Sequence, residues 1–395
     1  MDAVTLVKMA LTALMVATLP AAMVWMSSDA NKYRKLAWTC VFLIFDLIVF
    51  GGYTRLTDSG LGCPDWPGCY GSANPLLAHA AIEHAQALMP SGPVTLSKAW
   101  IEMIHRYLAM AIGVLIIALV AQSWRMWRRD RKESKERKER RLDYAPALPT
   151  AVLGFYCLQG VFGALTVTQK LQPAIVTCHL LLAMGLLALT TWFASRQDTL
   201  HAPARVSSGS PPAMRNIRIL ALVSGALLLA QLALGGWVST NYAALACNDF
   251  PLCGGKLIPA MDFEQGFTLW RALGRNADGS YLPFPALTAI HWVHRNFAFI
   301  VALVTGYTAW RGWEHAALHK TSRAIAIVLA IQFGTGIATI YLNHPLALAV
   351  LHNAGAAALV LLLTMLNYRA KYQFEIAQKA AASAVFPHAA PARHH

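Results

Sequence analysis

Long apolar runs alternate with short polar segments along this chain. Eight of these runs are about 20 residues long, enough to cross a bilayer core of about 30 Å as a helix. They lie at residues 37–52, 104–124, 149–168, 175–195, 217–239, 288–308, 324–342 and 346–366. The pattern predicts an all-α membrane protein with eight transmembrane helices.

A ninth apolar run, residues 9–26, follows Lys8 and precedes the polar sequence SSDANKYRK. A short apolar segment after a positive charge is typical of a signal peptide. This run is long for that purpose and is soon followed by another span. An additional helix or a membrane-surface segment is therefore favoured, with a signal peptide as the alternative.

The composition agrees with a membrane protein. Of 395 residues, 56% are hydrophobic and 13% are charged, about half the charged fraction of soluble proteins. The net charge of +14 could suggest a nucleic-acid partner, but the basic residues cluster between spans, as in residues 125–141. The positive-inside rule places these clusters in the cytoplasm. We therefore expect no nucleic-acid partner, and we expect residues 130–141 to extend the preceding helix.

Two loops on the other side of the predicted membrane carry closely spaced cysteines. Six positions separate Cys63 from Cys69, and the same spacing separates Cys247 from Cys253. In a multi-pass protein of the bacterial inner membrane these loops face the periplasm, where nearby thiols tend to pair. Structural disulfides, redox-active thiols and unpaired thiols are the alternatives.

The remaining cysteines, Cys40, Cys157 and Cys178, lie in predicted spans. We expect them to be small apolar residues of the core.

The chain contains two copies of one pattern. GGYTRLTDSGLGCPDWPGCYG begins at Gly51 and GGWVSTNYAALACNDFPLCGG begins at Gly235, and one shift of 184 residues also relates the cysteine pairs. Further residues match between the copies: His105 and Arg106 with His294 and Arg295, and Gln159 and His179 with Gln332 and His352.

Each copy holds four predicted spans, and an even number returns the chain to the same side of the membrane. The copies should therefore be related by a rotation axis along the membrane normal. The expected fold is a pair of pseudo-symmetric four-helix bundles. The expected segments are an apolar and basic amino-terminal part (1–36), the first bundle (37–196), a cytoplasmic linker (197–216), the second bundle (217–367) and a cytoplasmic tail (368–395).

Four of the repeated residues are histidines in or at the ends of predicted spans. Ionisable side chains inside a bilayer are costly and usually indicate a functional site. Facing imidazoles in a four-helix bundle can ligate a haem iron, whereas zinc requires three or four ligands in one cluster. The expected pairs are His105 with His179 and His294 with His352. Small residues could leave space for the ring or merely pack helices: Gly113, Gly160, Gly163, Gly336 and Ala356.

The copies differ one helical turn before the first histidine. Glu102 in the first copy aligns with His291 in the second, each on the same helix face as the following histidine. A carboxylate beside one pocket alone suggests chemistry with protons or positive charge there, and electron relay in the other pocket. The alternative role for Glu102 is to cap the helix start.

Together these motifs resemble the haem A synthase family, membrane enzymes that oxidise haem O to haem A for cytochrome oxidase. The resemblance covers residues 37–366 and is carried by GG.TRLT.SG with CPDWPxC, E-x-x-H-R at residues 102–106, H-R at residues 294–295 and the single histidines of the fourth and eighth spans.

The resemblance implies a haem b cofactor between His294 and His352, and substrate haem O at His105 and His179. It implies that the C8 methyl of haem O is oxidised twice, through an alcohol to a hydrated aldehyde that loses water, with Glu102 as the essential acidic residue. Disulfides Cys63–Cys69 and Cys247–Cys253 would brace the outer loops. Trp66, Arg106 and Arg295 are further candidates for haem contacts.

Two other functions stay open. A membrane thiol-disulfide oxidoreductase would use the cysteine pairs and a quinone, but it gives the four membrane histidines no task. A bis-haem b electron-transfer protein leaves Glu102 and the cysteine loops unexplained. The expected partners are the lipid bilayer, an unidentified electron donor, the farnesyltransferase that makes haem O, and, as a further option, a second copy of the chain.

Overall fold

The computed structural model describes residues 3–137, 145–201, 210–276 and 279–385. Within these ranges the regular structure is helical, apart from three isolated β-bridges in loops. Nine of the described helices are long and apolar enough to cross a membrane. The α-helices are α1 (Ala3–Trp25), α2 (Lys32–Leu56), α3 (His79–Leu88), α4 (Leu96–Arg137), α5 (Ala147–Thr168), α6 (Pro173–His201), α7 (Pro211–Thr240), α8 (Phe263–Gly266), α9 (Phe284–Trp313), α10 (His319–Tyr341) and α11 (Leu346–Val385).

The long helices form two four-helix bundles. Helices α2, α4, α5 and α6 pack together, and α7, α9, α10 and α11 pack in the corresponding arrangement. The bundles meet through α2 and α6 on one side and α7 and α11 on the other. The contact of α2 with α11 is matched by that of α7 with α6, as a two-fold relation between the copies requires. This agrees with the predicted pair of pseudo-symmetric bundles.

Two hydrogen bonds at the outer ends of α2 and α7 lie close to the axis between the bundles. The Arg55 guanidinium donates to the Ser239 carbonyl oxygen at 2.7 Å, and the Tyr242 hydroxyl donates to the Asp58 carboxylate at 2.8 Å. Each bond joins residues 184 positions apart, which is the shift of the sequence repeat. A residue contacts its own equivalent only near a rotation axis. The structure thus places that axis beside the ends of α2 and α7.

The eight predicted spans each fall on one helix, but several helices continue beyond the apolar runs. Helix α4 reaches Arg137, which agrees with the predicted extension, and residues 138–141 lie outside the described residues. Helix α11 continues past residue 367 without a break. There the Lys371 ammonium lies 2.6 Å from the Glu375 carboxylate, an i,i+4 ion pair of the kind that supports exposed helices.

Helix α1, which contains the ninth apolar run, packs along α4 and also contacts α2. Its buried side chains, Met9, Ala13 and Ala17 among them, recur every four residues and form one stripe. At its start the Thr5 hydroxyl donates to the Gly71 carbonyl oxygen at 3.1 Å, and near its end Val24 is fully buried. The structure therefore makes this run an additional helix that follows α4 from the cysteine-bearing loop to the opposite end.

Candidate functional site

The four repeated histidines lie on equivalent helices of the two bundles. His105 and His179 are on α4 and α6, and His294 and His352 are on α9 and α11. The imidazoles of His105 and His179 lie near each other, and so do those of His294 and His352. The structure therefore brings together the two pairs that the repeat predicts, one in each bundle.

A glycine on a neighbouring helix lies against each of these imidazoles. A Cβ atom added to any of the four glycines would fall nearer to the histidine Cε1 than the 3.5–4.0 Å at which carbon atoms normally pack. The distance from the added Cβ to the histidine Cε1 atom is 3.0 Å for Gly51 and His105, 3.2 Å for Gly163 and His179, 3.0 Å for Gly235 and His294, and 3.1 Å for Gly336 and His352. A side chain in any of these four places would therefore press on the imidazole, which would have to shift by a few tenths of an ångström.

The second glycine of each repeated GG motif faces the other bundle. Gly52 lies against the Asn353 side chain of α11, and a Cβ on Gly236 would lie 3.1 Å from the Leu180 Cδ2 atom of α6. The Asn353 amide donates to the Ile48 carbonyl oxygen of α2 at 3.2 Å. Adjacent glycines on one helix therefore serve two tasks: one accommodates a histidine, and the next allows the two bundles to approach.

Of the other glycines singled out in the sequence, two have different surroundings. Gly160 faces open space, and Gly113 lies against the Tyr156 ring. Only Gly163 and Gly336 of that set lie against the paired histidines. Gly51 and Gly235, which the sequence showed as the start of the repeat, supply the other two contacts.

A glutamine amide lies beside the Nε2 atom of one histidine in each bundle. Gln159 Nε2 is 3.4 Å from His179 Nε2, and Gln332 Nε2 is 3.2 Å from His352 Nε2. In each bundle a hydrogen bond thus joins the glutamine side chain to Nε2, and its direction depends on which ring nitrogen carries the proton. The equal spacing of Gln and His in the two copies was the sequence signal for this contact, although it did not reveal the role.

The Nδ1 atoms differ between the bundles, and the sequence reasoning missed this difference. In the second bundle, Thr335 Oγ1 lies 3.1 Å from His352 Nδ1, and Gln231 Nε2 lies 3.2 Å from His294 Nδ1. In the first bundle, the Nδ1 atoms of His105 and His179 are buried and have no hydrogen-bond partner among the described residues.

Glu102 and its counterpart His291 both hold a cysteine loop. The Glu102 carboxylate accepts a hydrogen bond from the Cys63 backbone N–H at 2.8 Å, and His291 Nδ1 accepts from the Cys247 N–H at 3.2 Å. Glu102 also forms an ion pair with Arg106, and both side chains are buried. Glu102 lies inside α4, which begins at Leu96, so it does not cap the helix start and instead anchors the Cys63 loop. Its catalytic role stays a prediction.

The two arginines of the repeat reach the cysteine loops in different ways. Arg106 donates to the carbonyl oxygens of Asp65 at 2.8 Å and Pro67 at 3.2 Å, and also to that of Gly68. Arg295 donates to the Leu252 carbonyl oxygen at 3.0 Å. The arginines therefore fix the loops over the ends of α4 and α9, and contact with haem stays a prediction for both.

Both cysteine pairs form disulfides, Cys63–Cys69 and Cys247–Cys253. In each loop an aspartate accepts two backbone N–H bonds after the second cysteine: Asp65 from Tyr70 and Gly71, and Asp249 from Gly254 and Gly255. These N–H donors, that of Gly255 first, lower the pKa of the Asp249 carboxyl. The Trp66 side chain is 45% exposed at the loop surface, and its contact with haem stays a prediction.

The three remaining cysteines were expected to be buried apolar residues. Cys40 is buried, but Cys157 and Cys178 are exposed on the helix surface, so the expectation was wrong for these two. A small apolar thiol can face lipid as well as a protein interior, and hydrophobicity alone does not distinguish the two environments inside a membrane.

The donor set of the paired histidines fits haem better than a bare metal ion. Across the described ranges, no group of three or more His, Cys, Asp or Glu side chains converges as a zinc site would require. Each bundle instead presents two imidazoles from two different helices, and each imidazole packs against a glycine. These residues would suit a haem group, whose iron the two histidines of a bundle would hold.

Comparison with known proteins identifies relatives over most of the chain. Residues 34–364 match the COX15-CtaA family, described as cytochrome oxidase assembly protein. A protein of Shewanella oneidensis named Heme A synthase is 35% identical over 337 residues, covering 85% of this chain and 96% of that protein. Proteins of the same name from Caulobacter sp. strain K31 and Caulobacter vibrioides are 31% and 30% identical, covering 88% and 83% of this chain and 98% and 93% of their own lengths.

Proposed function

Because this chain belongs to the cytochrome oxidase assembly protein family, in which its relatives are named Heme A synthase, we infer that it is a haem A synthase. It is a multi-pass membrane oxidoreductase of haem biosynthesis that acts on haem O. The observation that carries the proposal is the pair of equivalent imidazole sites, each held on glycines within its own four-helix bundle. The thiol oxidoreductase alternative is not favoured, because it gives these sites no task.

We assign a different task to each bundle. His294 and His352 hold a haem b cofactor, and His105 and His179 receive the substrate haem O. The asymmetry at Glu102 supports this assignment: a carboxylate stands one turn before His105, whereas the equivalent position beside His294 is His291. Oxidation of a methyl group develops positive charge and releases protons, and a carboxylate can stabilise that charge or accept a proton.

The residues of the chain position the reacting groups. Bound haem supplies the redox chemistry of iron. The glycines fix the imidazole positions, and the glutamines at residues 159 and 332 mark the side to which each Nε2 atom points. The Arg106 guanidinium holds both Glu102 and the loop that closes the end of the first bundle. The substrate C8 methyl would be oxidised twice, each step replacing a C–H bond by a C–OH bond with loss of two electrons to an external oxidant, and the hydrated aldehyde would lose water to give the formyl group of haem A.

We further propose a bacterial inner-membrane location with the disulfide loops in the periplasm. The basic clusters support this orientation, because they lie at the helix ends opposite to those loops. Haem O is hydrophobic, so direct delivery by the farnesyltransferase that makes it is the partner interaction that we expect.

The test of the function is production of haem A in cells that make haem O but lack their own haem A synthase. Extracted porphyrins are identified by mass. We expect haem A to appear with the intact chain and to be absent with an empty vector. Absence of haem A together with a colourless purified protein would contradict the proposal.

Adding one methyl group to the glycine beside His352 should weaken haem binding. In Gly336→Ala the new Cβ would lie 3.1 Å from the ring, so the imidazole must shift from its position. We expect haem b affinity to fall on the order of 10-fold, as for other changes that misorient a metal-binding histidine. The measurement is haem content per protein by the pyridine haemochrome assay.

Gly334→Ala is the matched control for that change. Gly334 lies on the same helix as Gly336 and faces open space. Replacing it by alanine therefore raises helix propensity by the same amount, but the new methyl group does not touch the His352 ring. Equal haem content in the two variants would show that Gly336 does not set the position of His352.

Replacing Cys63 and Cys69 together by serine tests whether their disulfide only braces the loop. Loss of a disulfide usually costs about 2–4 kcal/mol, so we expect a lower thermal midpoint while haem A formation persists. Replacing Cys247 and Cys253 by serine is the control, because that disulfide occupies the same place in the other bundle. Loss of haem A formation in the first variant alone, at equal stability, would instead indicate redox-active thiols.

A further inference from the structure

We propose that Thr335 is a positioning residue that fixes His352 in the iron-binding tautomer, so that the second bundle retains its haem while the first exchanges it. The inference rests on the proposed function, because it assumes that the paired histidines bind haem. It adds a physical reason for one bundle to keep a cofactor and the other to release a product.

The hydrogen bonds around His352 accommodate the tautomer that binds a metal through Nε2. Thr335 Oγ1 donates its own proton to the Gln332 carbonyl oxygen at 3.0 Å, so its lone pair can accept from His352 Nδ1, which lies 3.1 Å away. With iron on Nε2, as the proposed function has it, Nδ1 carries the ring proton and donates to Thr335. The Gln332 side chain lies 3.2 Å from His352 Nε2 and has to move aside when iron takes the lone pair of that nitrogen. A lone pair on Nε2 with a proton on Nδ1 is the form of imidazole that binds a metal through Nε2.

The equivalent histidine of the first bundle lacks this contact. The repeat places Phe162 where the second bundle has Thr335, as the aligned sequences QGVFG and QFGTG show. His179 Nδ1 is accordingly buried without a hydrogen-bond partner among the described residues. Within the described part of the chain, no hydrogen bond at Nδ1 therefore favours one tautomer of His179. Gln159 lies beside His179 Nε2, just as Gln332 lies beside His352 Nε2.

His294 and His105 also differ in their surroundings at Nδ1, but the proposal does not extend to them. Gln231 Nε2 lies near both Nδ1 and the carbonyl oxygen of His294, and the repeat places Leu47 at its position in the first bundle. An amide NH2 group can only donate to Nδ1, so this contact does not select the metal-binding tautomer as the Thr335 hydroxyl does.

The difference matches the separate needs of a cofactor and a substrate. Hydrogen bonds to the far nitrogen of a ligating histidine orient the ring and raise its basicity, and their loss typically costs 10–100-fold in metal affinity. A resident cofactor benefits from that affinity. A substrate haem must enter and its product must leave, so a ligand without this support releases its haem faster.

The test compares the rate of haem loss from the second bundle alone. The full-length protein carries His179→Ala, so that haem bound by the second bundle is observed, and excess apomyoglobin captures the haem that is released. We expect Thr335→Val to release haem about 10-fold faster than this parent. Thr335→Ser, which restores the hydroxyl, should return the parent rate.

Thr339→Val is the matched control. Thr339 lies one turn further along α10 and donates to the Gly336 carbonyl oxygen at 2.7 Å, without a hydrogen bond to a histidine ring. Its release rate should equal that of the parent. A reductive titration gives an independent readout: the less basic ligand in Thr335→Val should raise the midpoint potential of the haem, and Thr335→Ser should reverse the change.

The outcomes separate this inference from the proposed function. Release rates and potentials that are the same in Thr335→Val and Thr339→Val would overturn the inference while leaving the haem site intact. Identical behaviour of Thr335→Ser and Thr335→Val would overturn it as well, because the hydroxyl would then have no effect on the haem. A parent protein that binds no haem would overturn the proposed function and this inference with it.

Discussion

Purified protein is expected to lose its low-spin haem b spectrum when either His294 or His352 is replaced by alanine. Each change removes one of the two imidazoles that the second bundle presents, and a bis-imidazole iron needs both ligands to stay low-spin. The reduced-minus-oxidised absorption spectrum is the measurement, combined with haem content per protein. The spectroscopic effect is large, because the signal should vanish.

His291→Gln provides the control for that experiment. His291 is buried one turn from His294 on α9 and accepts a hydrogen bond from the Cys247 N–H at 3.2 Å. Glutamine keeps an acceptor in this place and removes an imidazole, so the spectrum should remain. Should both alanine variants keep the full low-spin signal, the haem b assignment to the second bundle is wrong.

Haem A formation is expected to fall on the order of 100-fold or more when Glu102 is replaced by glutamine, with haem b still bound. Glutamine preserves an oxygen that can accept from the Cys63 N–H, so the loop stays anchored. What it removes is the negative charge one turn before His105, which the proposed chemistry requires. Cells that supply haem O are assayed for haem A by mass, and the purified variant is assayed for its haem b spectrum.

Glu102→Ala is the harsher companion variant. Removing one partner of a buried ion pair costs about 3–5 kcal/mol, here because Arg106 loses its carboxylate partner. Thermal unfolding of both variants therefore has to be measured beside activity. If Glu102→Gln makes haem A at the normal rate and Glu102→Ala fails only through instability, Glu102 is an anchor for the loop and not a catalytic residue.

Much of the fold follows from local properties of the sequence. A run of about 20 apolar residues predicts a membrane helix wherever it occurs, and each of the eight predicted runs falls on a single helix. The repeat fixed the relation of the bundles, because an even number of spans per copy leaves only a parallel arrangement. The hydrogen bond from Arg55 to Ser239, between equivalent positions, shows that relation directly.

Hydropathy gave less information about which face of a helix is buried. Cys157 and Cys178 were expected in the interior and are exposed. In water, burial follows hydrophobicity, but in a membrane the lipid is as apolar as the protein core, so the same side chain suits both surroundings. Only the packing of neighbouring helices distinguishes the two faces.

The sequence by itself determined the spans, the duplication and the residue types of the two histidine pairs, since all of these are encoded in spacing along one chain. The tertiary structure decided what touches each ring: glycine at Cε1 in all four cases, a hydroxyl at Nδ1 of His352, and no partner among the described residues at Nδ1 of His179. It also decided that Glu102 reaches the Cys63 backbone. These contacts depend on the rotation and depth of helices that are distant in sequence, and periodicity within a single helix carries no information about either.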